Sequence, residues 1–152
     1  MKPYARILVP VDLGDRSKFV LQHAKTIAER FGSALDLLYC FPNPAIPDAT
    51  GLLNPIAPEV LEESRLDCER QLRGLLTAKE REQFKARTLV TIGDPLDAIV
   101  DYAKREEIDL IVMGTHGRTG VAHALIGSVA ERVVRMARCP VLTVRYSPRK
   151  RQ

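Results

Sequence analysis

Short apolar runs alternate along this chain with segments in which hydrophobic residues recur every three or four positions. The apolar runs predict five β-strands, at residues 5–11, 34–41, 85–92, 110–113 and 141–144. The periodic segments predict helices with one apolar face, such as the stripe of Val20, Ala24, Ile27 and Phe31 before a helix-ending Gly32. The chain is therefore predicted to alternate strand and helix throughout.

Aspartate and proline residues mark where helices begin. Asp15 is predicted to cap the first helix, and Pro58 to lie in the first turn of a long one. In Gly93-Asp94-Pro95, a turn is followed by a capping aspartate and by a proline suited to the first helical position. The last helix is predicted to bury an apolar stripe of Val129, Val133, Met136 and Ala137.

Strands separated by helices indicate an α/β protein with one parallel sheet and helices on both faces. Because crossovers between parallel strands are right-handed, we predict a single doubly wound, open, five-stranded sheet with strand order 3-2-1-4-5. Strands 1 and 4 are then neighbours where the winding reverses, and a ligand is expected in the crevice beyond their carboxyl ends. The loops at that crevice begin at Pro10, Val11 and Asp12 and at Met113 and Gly114.

Residues 42–58 interrupt the alternation of strand and helix. They contain five of the ten prolines, and they are too long for an ordinary connection in a small domain. We predict a flexible loop here, and we take as a hypothesis that it covers a bound ligand as a lid.

Composition narrows the class of protein. Of the 152 residues, 45% are hydrophobic and 28% charged, as in an ordinary globular domain; we place that domain at residues 1–147 and a basic tail at 148–152. The net charge of +4 resides partly in this tail, and aromatic residues, at 5%, are too few to favour nucleic-acid binding. No apolar run reaches the roughly 20 residues that span a bilayer, and the amino-terminal segment lacks a signal-peptide pattern. We expect a cytoplasmic protein without membrane contact.

The three cysteines do not form a site. Cys40, Cys68 and Cys139 are widely separated and odd in number, which indicates neither a zinc site nor a disulfide framework. We predict free thiols and no metal centre built by the protein.

The residues that most narrow the function are Gly114, Gly117, Gly127 and Ser128, spaced Gly-x2-Gly-x9-Gly-Ser after the fourth strand. Glycines let the backbone approach an anion closely, and a helix start offers free N–H groups and the positive end of the helix dipole. The motif therefore predicts a phosphate-binding loop. It differs from the P-loop, because no lysine precedes Ser128, and from the dinucleotide fingerprint, because the first strand runs into PVDLGD.

The same motif has a second interpretation that needs no ligand. The glycines would serve turns, and Ser128 with Glu131 would form a Ser-x-x-Glu capping box at the helix start. His116 would be a solvated loop side chain, because the sequence offers it no partner for triad chemistry. Both interpretations stay open on the motif by itself.

A longer stretch favours the ligand. From Asp109 to Arg145 the chain reads DLIVMGTHGRTGVAHALIGSVAERVVRMARCPVLTVR, and this run closely resembles the universal stress protein family. The resemblance extends from ILVPVD near the start to CPVLTV near the end, and it implies an adenine-nucleotide-hydrolase-like fold. The resemblance implies that family members with the full glycine pattern bind ATP, whereas members of a second branch lack the glycines and do not bind it. This chain resembles the first branch.

The resemblance also implies roles for individual residues. The phosphates and ribose of ATP would be surrounded by Gly114, Gly117, Gly127, Ser128 and Val129. Asp12 matches an acidic residue that contacts the nucleoside, although it would equally serve as the cap of a turn, and Cys40 matches a position whose backbone reads adenine. The neighbouring crevice residues are predicted to contact the nucleotide as well, namely Pro10, Val11 and Met113.

The sequence offers few of the catalytic groups that ATP hydrolysis or phosphoryl transfer needs. Arg118 would either contact a terminal phosphate or lie in solvent, and His116 is a conceivable acid–base group with no firm role. A Mg²⁺ or Mn²⁺ ion would be held by Asp12 together with the phosphates. The motif has no phosphate-clamping lysine and no paired carboxylates, so efficient catalysis is not predicted.

Three functions therefore remain open. The first is a regulatory, ATP-binding stress-response module, the second a slow ATPase or phosphotransferase, and the third a dimeric interaction protein without a nucleotide. The apolar segment between Val141 and Arg145 lies at a sheet edge in the predicted order, and such edges tend to pair with another chain. Together with the family resemblance, this predicts a homodimer through the last strand.

Overall fold

The computed structural model describes residues 3–41, 45–47, 49–116 and 126–146. The elements in chain order are β1 (Arg6–Val11), α1 (Asp15–Phe31), β2 (Ala34–Phe41), β3 (Ala45–Pro47), β4 (Leu53–Pro55), α2 (Pro58–Gly74), α3 (Ala78–Gln83), β5 (Arg87–Ile92), α4 (Pro95–Arg105), β6 (Leu110–Gly114), α5 (Ser128–Met136) and β7 (Val141–Val144). All five predicted strands form, each within two residues of its predicted limits.

The main sheet has the order β5-β2-β1-β6-β7, and every neighbouring pair of strands is parallel. Because β5, β6 and β7 are the third, fourth and fifth of the predicted strands, this confirms the doubly wound order 3-2-1-4-5. The winding reverses between β1 and β6, where the ligand crevice was expected.

Helices cover both faces of the sheet, and successive residues of β1 alternate between the two faces. Ile7 and Val9 share a core cluster with Leu21 of α1, whereas Leu8 shares a second cluster with Ile99 of α4. All five side chains are nearly or completely buried. Burial on both faces explains why the strands are almost continuously apolar in sequence.

Two details of the helix predictions are wrong. α1 is capped by Gly14 and not by Asp15, because Oδ1 of Asp12 accepts a hydrogen bond from the Gly14 N–H at 2.9 Å and shapes the turn one residue earlier. Phe31 and Met136, predicted on buried stripes, are 39% and 54% exposed. Each is the last residue of its helix, at the margin of the core.

Within the proline-rich segment 42–58, the described residues include a small antiparallel pair of strands, β3 and β4. Gly51 between them has a φ of 81°, a left-handed conformation that glycine adopts without strain. The sequence analysis did not predict these two strands, and the flexibility of the segment stays a prediction. That the segment covers a ligand stays a prediction.

The short helix α3 was not predicted from the sequence. Its start is a capping box in which Thr77 Oγ1 accepts from the Glu80 N–H at 3.2 Å and Glu80 Oε2 accepts from the Thr77 N–H at 2.8 Å. Six residues are too few to show a clear helical period, so the capping pair was the available signal.

A buried ionic cluster lies at the amino end of the sheet. Asp36 of β2 is 1% exposed and accepts hydrogen bonds from Arg6 at 2.7 Å, from Arg87 at 2.5 and 2.9 Å, and from the Tyr102 hydroxyl at 3.0 Å. Burial, and then the nearby Asp36 carboxylate, raises the pKa of Tyr102 to about 12. Both carboxylate oxygens are therefore occupied within the protein.

Some predicted features lie outside the described residues, namely Gly117, Arg118 and the basic tail at 148–152. Over the part of the chain that the structure describes, none of the helices has the length and apolar character needed to cross a membrane.

Candidate functional site

A crevice opens where β1 and β6 separate. The two strands are in register at Ile7 with Leu110 and at Leu8 with Ile111, and both continue further toward their carboxyl ends. Beyond these pairs lies a cavity of about 470 Å³, lined by residues of β1, β2, β6, α1, α4 and α5. This volume is in the range of small-molecule sites.

The end of the cavity beside β2 is apolar, and β1 ends there before β2 does. The last residue of β1, Val11, is in register with Tyr39, whereas β2 continues through Cys40. The backbone of β2 that faces β1 is therefore no longer covered by β1 beyond Tyr39. Val11, Cys40 and Ile99 line this end, which suits a flat aromatic ligand read by backbone groups.

The Cys40 thiol donates a hydrogen bond within the protein. Its Sγ donates to the carbonyl oxygen of Gly93 at 3.2 Å, and burial, followed by the charge of Asp94, raises the pKa of the thiol. A thiol with a raised pKa is a poor nucleophile at neutral pH. Its side chain therefore acts in packing.

Asp12 is fixed at the end of β1 by its neighbours. Its Oδ1 accepts from the Gly14 N–H at 2.9 Å and from Ser17 Oγ at 2.7 Å, and Ser17 Oγ accepts from the Asp12 N–H at 3.2 Å. The turn-capping role that the sequence left open is therefore present. Because Asp12 also lines the cavity, the same side chain is available to a ligand.

The two described glycines of the motif differ in what surrounds them. A Cβ on Gly127 would lie 2.7 Å from the carbonyl oxygen of Thr115, and the Gly127 N–H donates to that same oxygen at 2.5 Å. A Cβ on Gly114 would meet its nearest atoms, in Val20 and His116, at 3.4 Å, an ordinary contact. Only glycine therefore fits at position 127, whereas position 114 has room for a methyl group.

The capping box at Ser128, part of the interpretation that needs no ligand, does not form. α5 begins at Ser128 with Gly127 as its N-cap, and the Glu131 N–H bonds to the carbonyl oxygen of Gly127 at 3.0 Å. Ser128 is thus the first helical residue and does not cap the helix. The first N–H groups of a helix have no partner within it, and those of Ser128, Val129 and Ala130 belong to residues that line the cavity.

His116 presents a buried nitrogen at the same end of the cavity. Its Nδ1 lies 3.0 Å from Thr115 Oγ1, and its Nε2 is buried without a hydrogen-bond partner among the described residues. Buried polar atoms are usually hydrogen-bonded. An unpaired ring nitrogen in a cavity wall is therefore a candidate ligand contact.

The predicted site residues that the structure describes all line one cavity. They are Pro10, Val11, Asp12, Cys40, Met113, Gly114, His116, Gly127, Ser128 and Val129. Whether they bind a nucleotide stays a prediction. The sequence-based reasoning missed Arg16, Ser17 and Thr115, which line the cavity as well. Arg16 and Ser17 lie four and five residues after Asp12, at the start of α1, and that helical proximity was the signal that could have found them.

The described residues build no metal centre of their own. No group of three or more potential ligand side chains occurs among them, and Asp12 is the one carboxylate in the described lining of the cavity. Because Oδ1 of Asp12 already accepts two hydrogen bonds, its second oxygen would be the protein's contribution to an ion bound with a phosphate chain.

Comparison with known proteins gives a family and a shared fold. Residues 3–145 match the universal stress protein family. Universal stress protein MJ0531 of Methanocaldococcus jannaschii is 36% identical over 150 residues, which cover 97% of this chain and 85% of the relative. The structure of universal stress protein UspA from Lactobacillus plantarum is similar with a TM-score of 0.72 and 31% identity, covering 93% of this chain and 98% of the other.

Two more distant structures were determined with adenine nucleotides. A universal stress protein in complex with cAMP has a TM-score of 0.65 at 22% identity and covers 95% of this chain and 99% of its own. The universal stress protein of Archaeoglobus fulgidus in complex with dAMP has a TM-score of 0.53 at 23% identity, covering 93% of this chain and 98% of its own. At these identities the likeness shows the shared fold.

Proposed function

The chain belongs to the universal stress protein family, and from this premise we propose that it binds an adenine nucleotide, ATP in particular, in the cavity between β1 and β6. The bound nucleotide acts as a regulatory signal in a cytoplasmic stress response. The complexes of family members with cAMP and dAMP support an adenine nucleotide as the ligand.

The observation that carries the proposal is the set of polar groups at one end of the cavity that have no partner among the described residues. The first N–H groups of α5 belong to residues of the lining, and so does the buried, unpaired Nε2 of His116. Gly127 lets the start of α5 pack closely on the Thr115 carbonyl beside them. Free N–H groups at a helix start favour phosphate, because the helix dipole places partial positive charge there. A phosphate chain at this position completes the hydrogen bonding of these groups.

The other end of the cavity accommodates the nucleoside. The backbone of Cys40 reads the adenine edge beyond the last pairing of β1, and Val11 and Ile99 pack against the ring. Asp12, fixed by Ser17 and Gly14, accepts hydrogen bonds from the ribose hydroxyls. This arrangement stretches the nucleotide across the point where the winding of the sheet reverses.

A regulatory role fits the described lining better than catalysis does. The described residues of the cavity contain no lysine, one arginine, Arg16, and the single carboxylate of Asp12, whereas phosphoryl transfer depends on several cations and metal-binding carboxylates around the transferred group. A Mg²⁺ or Mn²⁺ ion would be held by Asp12 and by the phosphates, and it would neutralise part of their charge.

The nucleotide-bound protein is proposed to be a homodimer. β7 is an edge strand of the sheet, and Leu142 in it is 39% exposed. On α5, which contacts β7, Val134 and Met136 are 48% and 54% exposed. An apolar edge strand with neighbouring exposed apolar side chains favours pairing with a second copy, and light scattering at micromolar concentration tests this.

Release and titration of ligand test the proposed function. Protein purified without added nucleotide is denatured, and the released molecules are identified by mass spectrometry; ligand-free protein is titrated with ATP in a calorimeter. We expect an adenine nucleotide in the first experiment or saturable ATP binding in the second, and Gly127→Val abolishes both. Absence of both in the unmodified chain refutes the proposal, and phosphate release that Gly127→Val abolishes would instead support slow hydrolysis.

A further inference from the structure

Arg16 lies beside the phosphate end of the cavity. It is in the first turn of α1 and lines the cavity. Val20 follows it by one helical turn, so the two side chains share a face of α1, and Val20 Cγ2 is 3.4 Å from the position that a Gly114 Cβ would occupy. That face of α1 therefore borders the end of β6 at Gly114.

The guanidinium of Arg16 has a weak partner. Its Cζ lies 5.6 Å from the centroid of the Tyr146 ring, a cation–π contact. The side chain is exposed, and no carboxylate of the described residues forms a salt bridge with it. Solvent-exposed cation–π contacts are among the weaker interactions of an arginine, so this guanidinium is available to a stronger partner.

Tyr146 connects this arginine to the edge of the sheet. It lies two residues after β7, and its ring packs edge-to-face on Phe19 of α1 with the centroids 5.3 Å apart. β7 is itself tied to the wall of the cavity, because the Thr115 N–H donates to the carbonyl oxygen of Val144 at 3.1 Å. Arg16 therefore lies between the cavity and the end of the edge strand.

We propose that Arg16 determines the preference of the site for nucleotides with a phosphate chain, by exchanging its contact with Tyr146 for hydrogen bonds to the terminal phosphates. The inference rests on the nucleotide binding proposed above. A guanidinium offers paired donors that match two phosphate oxygens, and such charge-assisted bonds are stronger than an exposed cation–π contact. ATP therefore draws Arg16 away from the ring, whereas adenosine leaves it there.

The exchange also gives the edge strand a means to respond to the ligand. When Arg16 leaves Tyr146, the ring retains its contact with Phe19 but loses the cation that covers its face. The surroundings of Tyr146, two residues after β7, then differ between the adenosine-bound and the ATP-bound protein. Because β7 is the strand proposed to form the dimer, the length of the phosphate chain would be communicated to the dimer interface.

The affinity test compares adenosine, AMP and ATP by calorimetry in the unmodified chain, in Arg16→Gln and in Lys18→Gln. Lys18 is an exposed cation on the same turn of α1 that does not line the cavity, so its variant controls for the loss of one charge. Arg16→Gln is expected to weaken ATP binding about tenfold and adenosine binding less than about twofold. Equal loss of ATP affinity in the two variants, or equal loss for adenosine and ATP in Arg16→Gln, overturns the proposal.

Tyr146→Leu tests the exchange itself. The variant keeps an apolar side chain beside Phe19 but removes the aromatic face that competes for Arg16. ATP affinity should therefore rise about twofold to fivefold while adenosine affinity stays constant. A structural role for Tyr146 would instead lower both affinities, and an unchanged or lower ATP affinity refutes the exchange.

A fluorescent reporter measures the movement directly. The chain contains no tryptophan, so Tyr146→Trp places a single indole at this position and keeps the aromatic face. ATP should change its emission, adenosine should not, and Arg16→Gln should abolish the response to ATP. If no adenine compound binds the unmodified chain, the proposed function fails; if all three bind equally well, the role of Arg16 alone is refuted.

Discussion

The two ends of the parallel sheet differ in the buried polar side chains that they contain. At the amino end, both oxygens of Asp36 are occupied by Arg6, Arg87 and Tyr102, although Ser33 Oγ, just before β2, is buried without a partner among the described residues. At the carboxyl end, His116 Nε2 is buried without a partner among the described residues. An unpaired buried polar group costs about 1–3 kcal/mol. The amino end therefore has a paired ionic cluster that contributes stability, whereas the unpaired nitrogen at the carboxyl end belongs to a residue that lines the cavity in which we propose that a ligand binds.

The topology explains why helix starts gather at the carboxyl end. In a doubly wound sheet, each crossover helix begins near the carboxyl end of the preceding strand. Among the helices that start there are α1 at Asp15, α4 at Pro95 and α5 at Ser128. Their positive dipole ends therefore converge on the carboxyl side, although the first N–H groups of α4 are already bound by Asp94 Oδ1.

Removing the carboxylate of the amino-end cluster should have the largest effect. We expect Asp36→Ala to lower the free energy of unfolding by about 3 kcal/mol, because the two guanidiniums and the Tyr102 hydroxyl lose their shared acceptor. Urea unfolding followed by circular dichroism measures the change. In the folded protein, ATP affinity should be unaltered, since the cluster is at the far end of the sheet.

Asp67→Ala is the matched control for this variant. Asp67 is paired with Arg70, and the two side chains are 56% and 71% exposed, so its loss should cost less than about 0.5 kcal/mol. Equal costs for Asp36→Ala and Asp67→Ala would show that burial of the cluster does not contribute to stability.

Gly127→Ala should come next, with an effect on both stability and binding. A Cβ at 2.7 Å from the Thr115 carbonyl oxygen forces the start of α5 away from the loop, which should cost about 2 kcal/mol of stability and more than about tenfold in ATP affinity. Gly114→Ala is the control, because its added methyl group meets its nearest atoms at 3.4 Å. Similar losses in the two variants would contradict the distinction between the two glycines.

His116→Ala should weaken binding more than it weakens the fold. We expect about a tenfold loss of affinity for AMP and ATP, equivalent to about 1.4 kcal/mol. The ligand-free protein should lose less than about 1 kcal/mol of stability, because the variant removes the unpaired Nε2 together with the contact between Nδ1 and Thr115 Oγ1. Calorimetry and urea unfolding measure the two effects. His116→Gln, which retains a donor, should recover part of the affinity; a large loss of ligand-free stability would mean that His116 has a structural role.

Tyr102→Phe should have the smallest effect, about 1 kcal/mol of stability at neutral pH, since it removes one hydrogen bond to Asp36. The pKa of Tyr102 is about 12 in the folded protein, against an ordinary value of 10.0. The stability from its neutral hydroxyl is therefore fully present below about pH 10 and is lost as the pH rises through about 12. Urea unfolding across this range should show a steeper decline in the unmodified chain than in Tyr102→Phe, and parallel declines would contradict the raised pKa.

The sheet could be predicted almost completely from the sequence, because its strands bury both faces. A strand such as residues 110–113 reads as an unbroken apolar run, and right-handed crossovers leave few possible strand orders. The hairpin of β3 and β4 was missed for the opposite reason. Each of its strands has three residues, one of which is a proline, so no alternation of apolar and polar residues is visible.

The candidate site was predictable where adjacent residues carry it and unpredictable where distant elements meet. The glycine spacing and Asp12 are local patterns, and the strand order brings them together. Arg16 was missed because its importance comes from α1 passing beside the end of β6. The alternative capping box at Ser128 and Glu131 does not form, because Gly127, whose N–H donates to the Thr115 carbonyl oxygen, is the N-cap of the helix instead.

The sequence by itself determined the family, the order of the sheet and the neighbourhood of the cavity, because apolar period, crossover handedness and glycine spacing are properties of short segments. Only the tertiary structure decided which glycine is sterically required, that His116 Nε2 is buried in the cavity wall, and that Arg16 lies between the cavity and Tyr146. These features depend on contacts between segments far apart in the chain. Such contacts are set by how the helices pack on the sheet, and no local pattern encodes them.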